Sequence, residues 1–343
     1  MRLGFDATSL TVEGKGVARF QAEFLRVCEE PLTVFVSPDV DQAACPPRHT
    51  YVTVRARPMI RWEQLDRPRL ARKLGVDAVL HLSERVSLFG PPQVVYVYEH
   101  PRLRARRNRE VGAPLRQRLV DAVTVALFRL GVRRAAVVLC ASEATRREVG
   151  SGEVVYPGVS EVFSPRNRER SYFLHLASHD PRDNSEVVVD AHRRLGPDAP
   201  WLVVGGNAPD ALRERAAGLH VEWAGFRTGN ALADLYRGAI AYVDPSLYEG
   251  FGLQAAEALA CGTPVICSNV TSLPEVVGEA GVLLDPHDVA GFADAMRRLA
   301  DHPSLRETLV ARAPRFSWER TVRETLAACG RVARARAVPA AAS

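Results

Sequence analysis

The chain has 343 residues, of which 47% are hydrophobic and 25% are charged, and its formal net charge at pH 7 is +5. This length favours two domains of ordinary size, and the composition is that of a globular protein rather than a fibrous or disordered one. The sequence shows no apolar run long enough to cross a bilayer and no signal peptide at its start, so we expect a cytoplasmic protein. The modest charge gives no reason to expect nucleic acid as a partner. Six cysteines without a CxxC pair favour reduced thiols over a disulfide framework or a zinc site, and we expect no metal.

Short apolar runs rich in β-branched residues predict strands along the first half of the chain. They lie at residues 3–5, 32–36, 78–80, 94–97 and 137–140. After a stretch with Pro and Gly at 157–165 the pattern starts again, at residues 172–176, 201–204, 221–223, 240–243 and 265–267. Amphipathic stretches between several of these runs predict helices, and the alternation predicts parallel sheets covered on both faces.

We therefore predict an α/β fold of two Rossmann-like, doubly wound domains. The amino-terminal domain would span residues 1–163, and the carboxyl-terminal domain would span residues 164–316. Two such domains facing each other would leave a cleft lined by the carboxyl ends of both sheets, which is where ligands bind in folds of this kind. The loops at these strand ends are therefore the candidate binding segments.

Two glycine-containing loops follow predicted strands. Gly14, Lys15 and Gly16 precede a predicted helix, whose amides and positive dipole end suit a phosphate. The second loop, at residues 205–207, reads Gly-Gly-Asn. A lone GxG pattern is more often only a turn, so each loop is a weak indication by itself.

A third loop, at residues 244–252, also follows a predicted strand and ends where a helix begins. Gly250 and Gly252 allow the backbone to approach a ligand closely. The amides of Phe251, Gly252 and Leu253 lie at the predicted helix start, where donors without a partner inside the helix can bind an anion. The loop therefore predicts a phosphate-binding site.

Two carboxylates flank this helix start. Glu257 lies among alanines, and a buried carboxylate needs hydrogen-bond donors because burying it unpaired is costly. It follows Leu253 by one helical turn, so it projects toward the same ligand, and its two oxygens suit the paired hydroxyls of a ribose. Glu249, on the other side of the turn, would reach the group beyond the phosphates, where the hydroxyls of a sugar are natural donors. The arrangement predicts a site for a nucleotide sugar.

The residues around this loop carry a family resemblance. The stretches at 235–239, 245–253, 257–265, 268–275 and 284–286 closely resemble the carboxyl-terminal domain of retaining family-4 glycosyltransferases with the GT-B fold. Weaker similarities extend the resemblance over nearly the whole chain and lie at 14–16, 141–146, 155–159, 180–182 and 316–319. In such enzymes the last helix crosses back to the first domain, as we expect here for residues 317–337.

The resemblance implies a bacterial, metal-independent enzyme that transfers a hexose and retains the anomeric configuration. Its donor would be a nucleotide sugar, either GDP-mannose or a UDP-sugar, and it would need no other cofactor. Its acceptor would be a glycan, a lipid-linked molecule or a small natural product, in polysaccharide or secondary-metabolite biosynthesis. The usual proposal for the family is a front-face displacement in which the leaving phosphate oxygen takes the acceptor proton.

The resemblance also implies roles for individual residues. By position, Glu257 would bind the donor ribose and Glu249 would contact the donor sugar, with the amides of residues 251–253 near the diphosphate. A histidine after a first-domain strand commonly contacts the donor sugar in this family. His100 is the candidate for that role here, and Tyr98 is the alternative.

One segment departs from the family pattern. Where the family has an Arg and a Lys that bind the diphosphate, this chain has Ser178 and Asp183. Each lost charge-assisted hydrogen bond is worth about 1.5 to 3 kcal/mol. We expect Arg182 and Lys15 to replace the missing cations, with Lys15 arriving when the cleft closes. Two other interpretations stay open: a catalytically weak or inactive homologue that serves as the partner subunit of an active transferase, and an enzyme such as an epimerase that acts on the nucleotide sugar itself.

A cluster of arginines at residues 102–109 admits two interpretations. It could contact anionic lipid at the inner face of the membrane, or a phosphorylated acceptor. The alternative is a solvated helix face that has no partner. The apolar stripe that follows the cluster predicts the buried face of a helix and comprises Leu119, Val123, Ala126, Leu127 and Leu130.

Overall fold

The computed structural model describes residues 1–10, 16–82, 86–110, 112, 114–311 and 316–337. The chain divides into two compact units. The first unit comprises Met1–Gly158 and the residues from Ser317 onward, and the second comprises Val159–Phe316. The predicted boundary after residue 163 lies slightly further along the chain than the observed one after Gly158.

The first unit contains a sheet of seven parallel strands among the residues described. The strands are β1 (Leu3–Asp6), β2 (Thr33–Val36), β3 (Thr50–Thr53), β4 (Ala78–His81), β5 (Gln93–Val97), β6 (Val137–Cys140) and β7 (Glu153–Val154). Their order in the sheet is β3-β2-β1-β4-β5-β6-β7. The helices of the amino-terminal part are α1 (Gly16–Val27), α2 (Met59–Arg61), α3 (Arg67–Lys73), α4 (Pro101–Glu110), α5 (Leu115–Val132) and α6 (Glu143–Val149), with a π-helical turn at Trp62–Asp66 between α2 and α3.

The second unit contains a sheet of six parallel strands within its described residues. The strands are β8 (Tyr172–Ala177), β9 (Trp201–Gly206), β10 (Val221–Gly225), β11 (Ala239–Asp244), β12 (Val265–Ser268) and β13 (Gly281–Leu284). Their order is β10-β9-β8-β11-β12-β13. The helices are α7 (Ser185–Arg193), α8 (Asp210–Arg215), α9 (Gly229–Gly238), α10 (Leu253–Ala260), α11 (Leu273–Val277), α12 (Val289–Asp301) and α13 (Pro303–Val310).

The last helix, α14 (Trp318–Ala337), returns to the first unit. It packs against α1, where the rings of Phe20 and Trp318 meet edge to face with their centroids 5.0 Å apart. The Thr321 hydroxyl donates a hydrogen bond to the Tyr156 carbonyl, 2.7 Å away. Aromatic packing and this polar contact therefore fix the helix to the unit that begins the chain.

Both sheets confirm the predicted α/β class with two parallel, doubly wound sheets. Each sheet reverses its strand order once, between β1 and β4 in the first unit and between β8 and β11 in the second. The fully buried strand β11 lies at the centre of the second sheet, and the apolar side chains of α7 and α12 pack on it. Ligands of doubly wound folds bind at the carboxyl ends of the strands that flank such a reversal.

The reversal in the first unit is occupied by a buried ion pair. Asp6 ends β1, and its carboxylate accepts hydrogen bonds from Arg67 Nη1 at 2.7 Å and from Trp62 Nε1 at 3.0 Å. The other oxygen of the carboxylate accepts from the Thr8 hydroxyl at 2.7 Å. The Arg67 side chain is only 1% exposed, and it also donates to the Ser87 hydroxyl at 2.7 Å. The protein's own side chains therefore satisfy both oxygens of the Asp6 carboxylate.

Helix α5 corrects one prediction. The expected core stripe is exposed on Leu119, Val123, Ala126 and Leu130 and half-buried on Leu127. The helix instead buries Asp121, Thr124, Phe128 and Gly131. Phe128 packs with Val95 and Val138 of the sheet, and a side chain at position 131 would collide with Val86, whose Cβ lies 2.2 Å from the place of an added Cβ. One aromatic contact and one close approach decide which face of the helix is buried.

Candidate functional site

The site that the sequence predicts lies at the strand reversal of the second unit. The loop at 178–184 follows β8, and the loop at 245–252 follows the adjacent strand β11. The Leu247 amide donates to the Arg182 carbonyl at 2.8 Å, and Asn184 Nδ2 donates to the Pro245 carbonyl at 3.0 Å. The predicted site residues on the two loops, which include Ser178 and Gly252, therefore lie at one edge of the sheet.

The turn into helix α10 depends on glycine. Gly252 has φ 89° and ψ 50°, a left-handed conformation that costs other residues about 1–2 kcal/mol. A Cβ at this position would also lie 2.8 Å from Leu273 Cδ2. The turn places the first residues of α10, which begins at Leu253, at the carboxyl edge of the sheet. The amides of a first helical turn have no acceptor within the helix and carry its positive dipole end, so this edge suits an anion.

The backbone of Glu249 is fixed by the loop that follows β12. Its amide donates to Thr271 Oγ1 at 3.0 Å, and its carbonyl accepts from the Ser272 hydroxyl at 2.8 Å. Thr271 itself adopts a positive φ of 53°, which is uncommon for a β-branched residue. The loop after β12 therefore holds Glu249 immediately before the glycine turn.

Glu257 lies on α10 and is 1% exposed. The Tyr236 hydroxyl of α9 donates a hydrogen bond to its Oε2 at 3.3 Å. The ring of Tyr236 is in turn packed edge to face against Tyr242, with the centroids 5.5 Å apart. The buried carboxylate that the sequence shows among alanines thus has a protein donor, and its role toward a ribose stays a prediction.

Ser178 and Asp183, which stand where the family has cations, bond to each other. The Ser178 amide and hydroxyl donate to Asp183 Oδ2 at 2.7 and 2.6 Å. The Asp180 amide donates to the Ser178 hydroxyl at 3.1 Å. These contacts close the loop on itself, with a carboxylate at the position that the resemblance assigns to a lysine.

Arg182 lies on the same loop and faces Tyr248. Its Nε and Nη2 donate to Asp180 Oδ2 at 3.1 and 2.9 Å, and its side chain is 32% exposed. The guanidinium carbon lies 5.9 Å from the centroid of the Tyr248 ring, which immediately precedes Glu249 in the sequence. The structure therefore brings Arg182 to the loop of Glu249.

A buried polar pair beneath these loops was missed by the sequence analysis. Asp244 ends β11, is 2% exposed, and its Oδ1 accepts from the Ser246 amide and hydroxyl at 3.2 and 2.5 Å. Burial raises the pKa of Asp244 and lowers the pKa of the nearby His175. His175 Nδ1 lies 2.9 Å from the Val243 carbonyl, so it donates there, and Nε2 accepts from the Ser185 hydroxyl at 2.8 Å. An acidic residue at the end of a buried strand, directly before Pro245, was the available indication.

His100 is packed into the first unit. It is 5% exposed, its Nδ1 accepts from the Arg102 amide at 3.0 Å, and its ring meets Phe128 edge to face at 4.8 Å between centroids. Burial, with Arg102 and Arg129 nearby, lowers the pKa of His100 to about 4, so the ring is neutral at physiological pH. The structure thus gives His100 a capping and packing role at the start of α4. A contact with a donor sugar stays a prediction.

A cavity of about 130 Å³ lies beside these residues in the first unit. It is lined by Val17, Leu82, Phe128 and residues 96–99, which include the alternative candidate Tyr98. Gly14 and Lys15 lie outside the described residues, whereas Gly16 is described and begins α1. Among the residues that the structure describes, His, Cys, Asp and Glu side chains form no group of three or more that could hold a metal ion. Metal independence stays a prediction.

Comparison with known proteins connects this site to a family. Residues 170–302 match the family described as Glycosyl transferases group 1. The chain is 37% identical over 171 residues to the O-antigen chain mannosyltransferase B of Escherichia coli, which covers 46% of this chain and 45% of that protein. It is 42% identical over 171 residues to the D-inositol 3-phosphate glycosyltransferase of Actinosynnema mirum, which covers 45% of this chain and 38% of that protein. The matches therefore span less than half the length of these two curated relatives.

The fold also matches solved structures. Anabaena Alr3699/HepE, solved in complex with UDP and glucose, superposes with a TM-score of 0.71 and covers 96% of this chain and 99% of its own. At 15% sequence identity this likeness shows the fold alone. The matched segment contains both loops of the strand reversal and the whole of α10. Residues 170–302 therefore resemble the family described as Glycosyl transferases group 1, and the two parallel-sheet units have the GT-B fold.

Proposed function

We propose that the protein transfers a sugar from a nucleotide-sugar donor to a glycan, a lipid-linked molecule or a small natural product, with retention of the anomeric configuration. The donor sugar is a hexose carried on GDP or UDP. Two observations on similar proteins support these two carriers: one relative is named a mannosyltransferase, and one structural neighbour was solved with UDP and glucose.

The observation that carries the proposal is the meeting of two loops with a helix start at the strand reversal of the second unit. The loops at 178–184 and 245–252 are joined by the bond from Leu247 to Arg182, and α10 begins there after Gly252. A diphosphate at this edge would meet the positive end of the helix. Glu257, one helical turn further along α10, would then bind the ribose. Glu249, just before the glycine turn, would contact the donor sugar.

In this proposal the chain acts through positioning and charge. Glu249 orients the donor sugar, and the first amides of α10 stabilise the charge that develops on the leaving diphosphate. The leaving phosphate oxygen takes the acceptor proton, so no side chain has to serve as general base. Arg182 and Lys15 supply the cations that Ser178 and Asp183 do not.

The test measures nucleotide binding through its effect on the thermal unfolding temperature. A nucleotide that binds only the folded protein raises its stability by mass action, so a panel of nucleotides and nucleotide sugars should show stabilisation by GDP or UDP species. Glu257→Gln should weaken nucleotide affinity by about 1–3 kcal/mol, because a ribose hydroxyl loses a charged acceptor. The matched control is Glu275→Gln, on the neighbouring helix α11. Equal affinity of the wild type for ribonucleotides and 2′,3′-dideoxynucleotides would contradict the assignment.

A second candidate function has a specific observation in its favour. Asp183 lies on the loop at 178–184, beside the proposed diphosphate, and Ser178 holds its carboxylate there. A carboxylate at this position would repel a diphosphate. A homologue of this kind could serve as a partner subunit for an active transferase. Product analysis with a broad donor and acceptor panel separates the two: a glycosylated product supports the enzyme, and nucleotide binding without product supports the partner.

A further inference from the structure

Helix α5 of the first unit presents its apolar side to the outside. Residues Leu115, Leu119, Val120, Val123 and Leu130 are between 46% and 69% exposed. The spacing of Leu115, Leu119, Val123 and Leu130 places them on one face of the helix. No element of the described residues covers this stripe, and an exposed apolar stripe of this length is unusual on the surface of a globular unit.

Arginines border this stripe. Arg116, Arg118, Arg129 and Arg133 lie on or directly after α5 and are exposed. On the preceding helix α4, Arg102 and Arg109 are exposed as well. An apolar stripe with basic residues along its sides is the pattern of helices that lie in the plane of a membrane surface.

The acidic residue of α5 does not weaken this positive surface. Asp121 is 2% exposed and accepts hydrogen bonds from Asn108 Nδ2 at 2.8 Å and Gln117 Nε2 at 3.1 Å. Arg104 Nε lies 3.7 Å from its carboxylate. In the sequence from 101 to 134, Asp121 and Glu110 are the only acids beside ten arginines. The Asp121 carboxylate is therefore buried between α4 and α5, where these groups surround it.

We propose that the exposed face of α5, together with the exposed arginines of α4, docks on an anionic lipid bilayer. The apolar side chains enter the boundary between headgroups and acyl chains, and the arginines bind lipid phosphates. The helix lies on the membrane and does not cross it: within the described ranges, no helix combines the length and the apolar character that a span requires. The proposal goes beyond sugar transfer and does not rest on it.

Charge complementarity favours a bilayer over a second copy of the chain. Two copies that met through this face would bring arginines against arginines, which opposes association. An anionic membrane offers a negative surface and an apolar interior at once, so it complements both parts of the face. Because the opposite side of α5 is packed against its own unit through Phe128 and Gly131, docking needs no rearrangement of the helix.

The experiment measures binding of the full chain to vesicles by co-sedimentation. One set of vesicles contains phosphatidylcholine alone, and the other contains phosphatidylcholine mixed with phosphatidylglycerol. We expect binding to the anionic set only, weakening as salt rises. Arg116→Gln/Arg118→Gln/Arg129→Gln should weaken binding on the order of a hundredfold at low salt, since each arginine near the surface contributes about 1 kcal/mol. Leu119→Ser/Val123→Ser should weaken it about tenfold or more at every salt concentration.

Matched controls carry the same changes elsewhere. Arg55→Gln/Arg57→Gln/Arg69→Gln removes three exposed arginines that lie outside α4 and α5, and Phe226→Ser removes a 61% exposed aromatic ring of the second unit. Both controls should bind like the wild type, and all variants should unfold at the wild-type temperature. The proposal is overturned if the wild type binds neither set or both sets equally, if the controls lose as much as the α5 variants, or if light scattering shows a dimer that Leu119→Ser/Val123→Ser dissociates.

Discussion

The first sheet reverses its strand order between β1 and β4, and the second does so between β8 and β11, but the chain treats the two reversals differently. At the first, Asp6 and Arg67 form a buried ion pair with Trp62 and Ser87 around it. At the second, two loops meet beside the start of α10, and Arg182 stays partly exposed. Strand topology places both groups at the carboxyl edge of a sheet, and the residues there decide whether polar side chains pair inside the protein or stay partly exposed.

The largest expected effect tests the buried ion pair at the first reversal. Asp6→Asn should lower the free energy of unfolding by about 3–5 kcal/mol, because the Arg67 guanidinium stays buried without its counter-charge. Urea denaturation measures the loss. Asp66→Asn is the matched control, since its partner Arg61 lies 3.1 Å away in a pair whose side chains are 66% and 35% exposed, and such a pair contributes about 1 kcal/mol or less. Equal losses in the two variants would mean that the buried ion pair contributes no more to stability than the exposed one.

The same pair gives a pH dependence. Burial alone would raise the pKa of Asp6, but the Arg67 charge and the hydrogen bonds from Thr8 and Arg67 outweigh it, and the pKa lies below its usual value of 3.8. A lowered pKa stabilises the fold at pH values above the usual carboxyl range, and this stability is lost as the pH falls through the folded-state pKa. Acid titration of the unfolding free energy should therefore show a shallower loss in Asp6→Asn than in the wild type. An identical acid profile would remove Asp6 as its source.

The next effect tests the cations that we propose for the donor diphosphate, Arg182 at the second reversal and Lys15 of the first unit. Lys15→Ala/Arg182→Ala should reduce sugar transfer by about a hundredfold or more, the magnitude expected when fixed charge is removed from a leaving group. Arg72→Ala/Lys73→Ala, which also removes one arginine and one lysine, is the matched control at the exposed end of α3. Turnover with the identified donor measures both variants. Wild-type rates in the Lys15/Arg182 variant would show that other groups stabilise the diphosphate.

The smallest effect tests the glycine turn before α10 at the second reversal. Gly252→Ala and Gly218→Ala both force alanine into a positive φ, of 89° and 79°, but position 218 has no atom within 4 Å of an added Cβ. Both should lose about 1–2 kcal/mol of stability to strain. Gly252→Ala should lose about 1–3 kcal/mol more, because Leu273 must move. Thermal unfolding compares the two, and a difference near zero would mean that Leu273 adjusts at no cost.

Apolar periodicity was enough to predict the central strands of both sheets. The predicted run at 137–140 coincides with β6, and that at 172–176 with β8 except for its last residue. The edge strands β3, β7 and β13 were missed. Their residues are half-buried or exposed, because a strand with one neighbour buries less. β3 and β7 read TYVT and EV and give no continuous apolar run, whereas the run GVLL of β13 was not recognised.

Helix α5 shows a different limit. The sequence located its apolar stripe correctly but gave it to the core, because periodicity defines a face and does not say what lies opposite it. The buried side was chosen by Phe128 and by the absence of a side chain at Gly131. Contacts distant in sequence escape in the same way, as with Tyr236, which donates to Glu257 from the preceding helix.

The carboxyl-terminal unit is one uninterrupted segment whose two ends meet. The Val159 amide donates to the Phe316 carbonyl at 3.2 Å. In the first unit, the residues that flank this segment are also adjacent: a Cβ added at Gly158 would lie 2.2 Å from the Trp318 amide nitrogen. The chain therefore leaves the first unit and returns to it at the same place. A segment with adjoining ends can be exchanged as a cassette by two crossovers, without extra linker on either side. Recombination at these two points could give the first unit a new partner unit, and with it different loops at the second strand reversal, while α14 and its packing on α1 are inherited unchanged.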